Sequence, residues 1–228
     1  MVPPLFYVKR GEELFSNTEE MTAAAENRNC SLGKIAMAYE AELLGLSEKE
    51  ILDEMLRRFE VMRISVNEGL HDRNVKMHLL KPSARRIFDS EEKGLAAIGG
   101  IHTRAAARSM AVMHICNSKG IICAAPTGGS AGVLPGVLVT LVEEKNIGPE
   151  KTAAALFAAS AIGLIIAQRA TFAAEVAGCQ VEIGAAGAMS AAAVVEVAGG
   201  KAGQAVDAAA IALQNTMGSV CDPVQGGV

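Results

Sequence analysis

The amino-acid sequence predicts an all-α fold, mainly helical, and three observations carry that prediction. Half of the 228 residues are hydrophobic, yet only 4% are aromatic and Trp is absent. Core volume must then come from many small side chains, and Ala, prominent here, is the strongest helix former. Apolar positions also recur at helical spacing, as in Ile51, Met55, Leu56, Phe59, Met62 and Val66, rather than alternating as in a strand. Finally, Gly and Pro fall between runs of helical length, at Gly148-Pro149 and Gly199-Gly200.

The elements follow in order. Ser31 or Asn29 caps a first amphipathic helix carrying Ile35, Ala38, Tyr39 and Glu42. Ser47 and Glu50 form a capping-box pattern that opens the next helix, which ends near Gly69. A polar connection over residues 70–82 ends at Pro82. A long helical pattern runs from Ser83 or Asp89 to Asn117, with a break expected at Gly99-Gly100. A short apolar run from Gly120 feeds a Gly-rich loop at residues 126–132, and a helix follows to Glu144. Further helices are expected over 149–172, 188–198 and 202–217, with a glycine-bearing connection at 178–187. Residues 1–82 are read as a helical appendage and residues 83–228 as the main domain.

The formal charge of −4 is mild and spread along the chain. No basic patch with interleaved aromatics points to nucleic acid. The N-terminus lacks the charged-then-apolar layout of a signal peptide. The most apolar stretch, residues 153–167, is shorter than the ~18–20 residues of a membrane span and reads as a buried core helix. Five cysteines and no export signal fit a reducing cytoplasm.

The loop carries the first candidate chemistry. Gly128, Gly129 and Gly132 precede a helix, and Thr127 and Ser130 add hydroxyl groups. Backbone N–H groups at a helix start bind anions because they lack intrahelical acceptors, which suits a carboxylate-bearing substrate. A tight helix crossing explains the same glycines about equally well. Cys30, Cys116 and Cys123 read as surface or packing residues. Cys179 and Cys221 differ, because both lie in connections at helix ends, where a thiolate is favoured. Alone, the pair is a weak metal signal, and the absence of CxxC spacing argues against structural zinc. His71, His78, His102 and His114 show no metal-motif spacing and read as satisfied structural residues. Glu175, Glu182 and Glu196 interrupt the most Ala-rich part of the chain, so each must be paired or border a cavity.

Three stretches together resemble the α chain of the two-subunit bacterial iron–sulfur L-serine dehydratases. They are the run from Ala125 to Gly136, the run Gly178-Cys179-Gln180-Val181-Glu182-Ile183-Gly184, and Cys221-Asp222-Pro223-Val224. The likeness is sustained from about residue 105 onward and fainter before it. The resemblance implies a β-elimination of L-serine to pyruvate and ammonia, without pyridoxal phosphate. It also implies a [4Fe–4S] cluster acting as Lewis acid, with Cys179 and Cys221 as two of three cysteine ligands. The third falls in a Pro-Cys pair beyond Val228, so the chain reads as a C-terminally truncated α chain, expected to be cluster-free and inactive by itself. Thr127, Gly128, Gly129 and Ser130 are the expected substrate-binding residues, and no catalytic base is assigned. A β subunit and a homo- or hetero-oligomer are the expected partners, with neither nucleic acid nor membrane. Two other functions fit the same residues: a non-catalytic helical assembly module, and a related lyase acting on another small amino acid such as cysteine.

Overall fold

A computed structural model describes residues 11–71, 75–77 and 80–219. Among these residues there are ten helices and no strand, as the composition predicts. They are α1 (Thr18–Asn27), α2 (Leu32–Leu44), α3 (Glu48–His71), α4 (Ala84–Glu92), α5 (Ile101–Asn117), α6 (Val133–Lys145), α7 (Pro149–Arg169), α8 (Ala174–Ala177), α9 (Cys179–Ala198) and α10 (Ala202–Thr216).

Helix α7 lies at the centre, packed against α2, α3 and α9, while α5 packs on α3, α4 and α6 and α10 covers α9. The buried core is rich in Ala: Ala153, Ala155, Ala158, Ala159 and Ala161 of α7 meet Ala188, Ala192 and Ala193 of α9. Both α7 and α9 are long and apolar enough to cross a bilayer by length and composition. Here they pack on each other, and residues 153–167 form a core helix whose Leu156, Phe157 and Ile162 are buried.

Close backbone approach sets the helix spacing, because small side chains leave the helices little else to hold them apart. A Cβ on Gly33 of α2 would lie 2.1 Å from the Ala154 carbonyl oxygen of α7. One on Gly69 of α3 would lie 2.1 Å from the Ala111 carbonyl oxygen of α5. No real side chain fits such distances, so these crossings admit glycine alone.

Helix starts are fixed by polar contacts. Ser47 and Glu50 make the expected reciprocal capping box, with Glu50 Oε2 2.9 Å from the Ser47 amide and Ser47 Oγ 3.3 Å from the Glu50 amide. Ser31 is the N-cap of α2, but its side chain makes no capping bond of its own. Instead Glu196 of α9 caps α2 from outside, accepting from Ser31 Oγ at 2.5 Å and from the Gly33 amide at 3.0 Å. Glu196 is buried, and this pairing is the one that its Ala-rich setting requires.

The break expected at Gly99-Gly100 is present and wider than expected: α4 and α5 are separated by residues 93–100. Within that gap Glu91 of α4 accepts from the Gly100 amide at 2.9 Å and from Arg104 at 2.6 Å. Helix α9 starts at Cys179 rather than at 188, so Gly184 and Gly187 lie inside it. Gly184 faces α10, where a Cβ would stand 3.0 Å from Thr216 Oγ1. Helix packing there overrides the weak helix propensity of glycine.

Candidate active site

The loop between α5 and α6 is anchored by its buried residues Ala125, Ser130 and Ala131. It divides into two parts with different tasks. A Cβ on Gly132 would lie 2.3 Å from the Ser109 carbonyl oxygen, and one on Gly136 would lie 2.0 Å from Ser109 Oγ. These two glycines therefore serve the α5–α6 crossing. A Cβ on Gly128 would meet nothing within 4 Å, so this residue leaves open space for a ligand. Cys116 of α5 supports the loop from behind, its thiol 3.5 Å from the Gly128 carbonyl oxygen.

The remaining loop residues gather around one carboxylate. Thr127 Oγ1 donates to Glu182 Oε1 at 2.5 Å. Since that proton is committed to Glu182, Ser130 Oγ, 3.2 Å from Thr127 Oγ1, is the donor in their contact. A Cβ on Gly129 would lie 2.6 Å from Glu182 Oε2, so glycine is what lets the backbone close over the carboxylate.

Glu182 stands in the first turn of α9, three residues after Cys179, and positions three apart share a helix face. The thiol and the carboxylate are therefore neighbours at the end of α9 that meets the loop. Gly178 makes the turn into this helix with φ of 83° and provides no side-chain cap.

The chain returns to the same place after α10. Gln180 Nε2 donates to the Ser219 carbonyl oxygen at 2.6 Å. Cys221 lies outside the described residues, two positions beyond Ser219. Among the described residues no group of three or more His, Cys, Asp or Glu side chains is arranged to hold a metal ion. Helix α9 contributes one cysteine, Cys179, a side chain of the kind that ligates iron–sulfur clusters.

A pocket of about 370 Å³ adjoins the loop, walled by Gly129, Ser130, Gly132, Val133, Ile183 and the α5 residues Met110, Met113, His114 and Asn117. A larger cavity of about 800 Å³ lies between α2, α3 and α7 and shares only Pro126 with residues 126–132. Neither Cys179 nor Glu182 lines either space, but the smaller one is walled by three loop residues; burial pushes the carboxyl of Glu40 in the larger cavity's wall upward. The smaller pocket is the one next to the candidate chemistry.

The other singled-out residues fall elsewhere. Cys30 and Cys123 pack beside the core, where burial pushes both thiols up. His71 bonds the Asn67 carbonyl at 2.9 Å, His102 is exposed, and His78 lies outside the described residues. Glu175 is exposed on the short helix α8. His114 departs from its expected role as a satisfied structural residue. It is only 5% exposed, and its Nδ1 is buried without a hydrogen-bond partner. Helical periodicity identifies it as inward-facing, but only tertiary structure shows that no partner meets it.

Comparisons with known proteins follow the same residues. A sequence profile described as Serine dehydratase alpha chain matches residues 27–228. The chain is 33% identical over 213 residues to the "Probable L-serine dehydratase, alpha chain" of Bacillus subtilis, covering 93% of this chain and 71% of that one. It is 31% identical to the "L-serine dehydratase, alpha chain" of Peptoniphilus asaccharolyticus, covering 93% and 73% of the two chains. Against "L-serine dehydratase 2" of Escherichia coli it is 31% identical over 227 residues, covering 94% of this chain and 48% of the relative. With the profile spanning nearly all of the helices that build the Thr127–Glu182 site, the chain belongs to the serine dehydratase alpha chain family of lyases.

Proposed function

We propose that this chain is the α chain of an L-serine dehydratase that converts L-serine to pyruvate and ammonia by β-elimination. One observation carries the reading: the Thr127 loop, Cys179 and the Gln180–Ser219 contact all meet at the start of α9. The relatives' names supply the substrate. In this reading Cys179 and Cys221 are thiolates of a [4Fe–4S] cluster. When bound, that cluster supplies a Lewis acid at the substrate hydroxyl.

The chain's own residues bind and orient the amino acid. Glu182 already holds the Thr127 proton, so a second carboxylate beside it is repelled, and the substrate carboxylate takes the open side at Gly128. The amides of the loop that leads into α6 meet it there. The substrate ammonium then faces the Glu182 carboxylate, the nearest negative charge on α9. This pairing fixes two of the four substituents of Cα and leaves the Cα–H and the side chain on the side away from the loop. Loss of the Cα proton and the Cβ–oxygen bond gives aminoacrylate, which tautomerises and is hydrolysed to pyruvate and ammonia. The partner β chain completes the enzyme.

The test is anaerobic iron and sulfide reconstitution of the full-length α chain with its partner chain. Electron paramagnetic resonance and a pyruvate assay follow, for wild type and Cys179→Ser. The expected result is a cluster signal and pyruvate in the wild type, both lost in the variant. Iron content and activity unchanged in Cys179→Ser would favour a helical assembly module and overturn the proposal.

A further inference from the structure

The pocket beside the loop contains a polar group for which the protein provides nothing. His114 Nδ1 is closed off from solvent and has no partner, although other α5 side chains close their own bonds. Ser109 Oγ donates to the Ala105 carbonyl at 2.9 Å, and Asn117 Nδ2 donates to the Met113 carbonyl at 2.8 Å. A buried polar atom left without a hydrogen bond is destabilising, and replacing it with an apolar group removes that cost. The imidazole sits in the wall of a pocket it shares with Gly129 and Ser130, the two residues that follow Gly128, where the substrate carboxylate sits in the dehydratase reading. The rest of the wall mixes apolar Met110, Met113 and Ile183 with polar Lys81, Ser83, Ser109 and Asn117, yet none of these bonds Nδ1. Burial also holds the ring below its ordinary pKa, so it meets a ligand as a neutral group with one donor and one acceptor nitrogen.

We propose that His114 is a substrate-binding residue whose imidazole hydrogen-bonds the amino acid held by the Gly129–Ser130 loop. This rests on the reading of the chain as a serine-binding α chain. The ligand class is a small zwitterionic amino acid, which brings both donors and acceptors into a pocket of about 370 Å³. The cost of the unpartnered nitrogen is recovered when the ring turns Nδ1 from its buried position towards that ligand.

The experiment uses the reconstituted holoenzyme with L-serine as the probe, comparing wild type, His114→Phe and His114→Gln. For His114→Phe the expected result is a KM raised tenfold or more, a smaller change in kcat, and a Tm equal to or above wild type. His114→Gln keeps a hydrogen-bonding group and recovers part of the KM. A purely structural histidine would instead lower Tm and leave KM alone. Should His114→Phe fold poorly, the ring-proton signals of His114 in the wild type are followed through an L-serine titration. A shift that saturates near KM supports the proposal. Turnover of serine by a wild type whose His114 signals stay fixed, or a wild-type KM in a folded His114→Phe, overturns it and leaves the dehydratase reading standing. A wild-type holoenzyme that yields no pyruvate overturns the dehydratase reading itself. If L-serine then still shifts the His114 signals, the pocket binds the amino acid without turning it over.

Discussion

Gln180 donates its side-chain amide to the carbonyl of Ser219, a 2.6 Å bond spanning 39 residues of sequence. It ties the residue after Cys179 to the chain that leads to Cys221. Gln180→Leu keeps the side-chain bulk and removes the donor. The expected effects are faster amide exchange over residues 217–219 and weaker iron retention in the reconstituted enzyme. The cost in global stability is about 1 kcal/mol. Hydrogen-exchange mass spectrometry and iron analysis check this, and unchanged exchange would show that the tether is not what orders the segment.

The loop glycines separate by task. Gly136→Ala places a methyl 2.0 Å from Ser109 Oγ and 2.5 Å from the Ser109 amide. Helices α5 and α6 must then part, at about 1–3 kcal/mol, which for a chain of this size lowers Tm by roughly 2–12 °C. Gly128→Ala meets nothing within 4 Å, so its Tm stays at the wild-type value while serine turnover falls. Thermal melts of the two variants side by side decide the matter.

Thr127→Val removes the hydroxyl that holds Glu182 and keeps the shape. A hydrogen bond to a charged group contributes about 1.5–3 kcal/mol, so kcat/KM is expected to fall by roughly 10- to 150-fold. Steady-state pyruvate formation measures it, and a loss below twofold would remove Thr127 from the site.

Glu196→Leu takes the external cap from α2. It leaves the Gly33 amide and the Ser31 hydroxyl without their acceptor, and a buried donor stranded in this way costs about 1–3 kcal/mol. Chemical denaturation gives the value. An intact midpoint would mean that water or another side chain replaces the carboxylate.

Acid sensitivity follows from Glu91. Its bond with Arg104, and then the Gly100 amide, hold its carboxyl below the ordinary value of 4.5. The folded value lies below the unfolded one, so this contribution is complete above about pH 4.5 and is lost as pH falls through the folded value. Glu91→Gln is therefore less stable than wild type at pH 6, and the gap narrows below pH 4.5. Melting curves across pH 3–6 test the sign, and a gap that widens on acidification would reverse the assignment.

Much of this architecture is legible in the sequence, and the exceptions share a cause. The Ser47–Glu50 box, the Gly148-Pro149 break and the stop at Gly199 are local, so local chemistry reveals them. Gly184 and Gly187 read as a connection because helix propensity is local too, whereas α9 runs through both and packs on α10, with Gly184 at the contact. The site behaves the same way. Composition places Thr127, Gly128, Gly129, Ser130 and Glu182 under suspicion one at a time, but the Thr127–Glu182 bond joins residues 55 positions apart. His114 is illegible for the opposite reason: its distinguishing feature is a missing neighbour, and no periodicity records that.

Helix α9 holds a carboxylate near each end. Glu182 meets the loop and Glu196 grips α2, and the 14 residue steps from one to the other span about 21 Å of a stiff rod. The rod works as a lever with its grip on the N-terminal helices. A tilt of about 5° about Glu196 swings the Glu182 end by about 2 Å, enough to part it from Thr127. The seating of Ser31 and Gly33 is thus a remote adjustment for the Thr127–Glu182 distance, and in the proposed reading for serine binding.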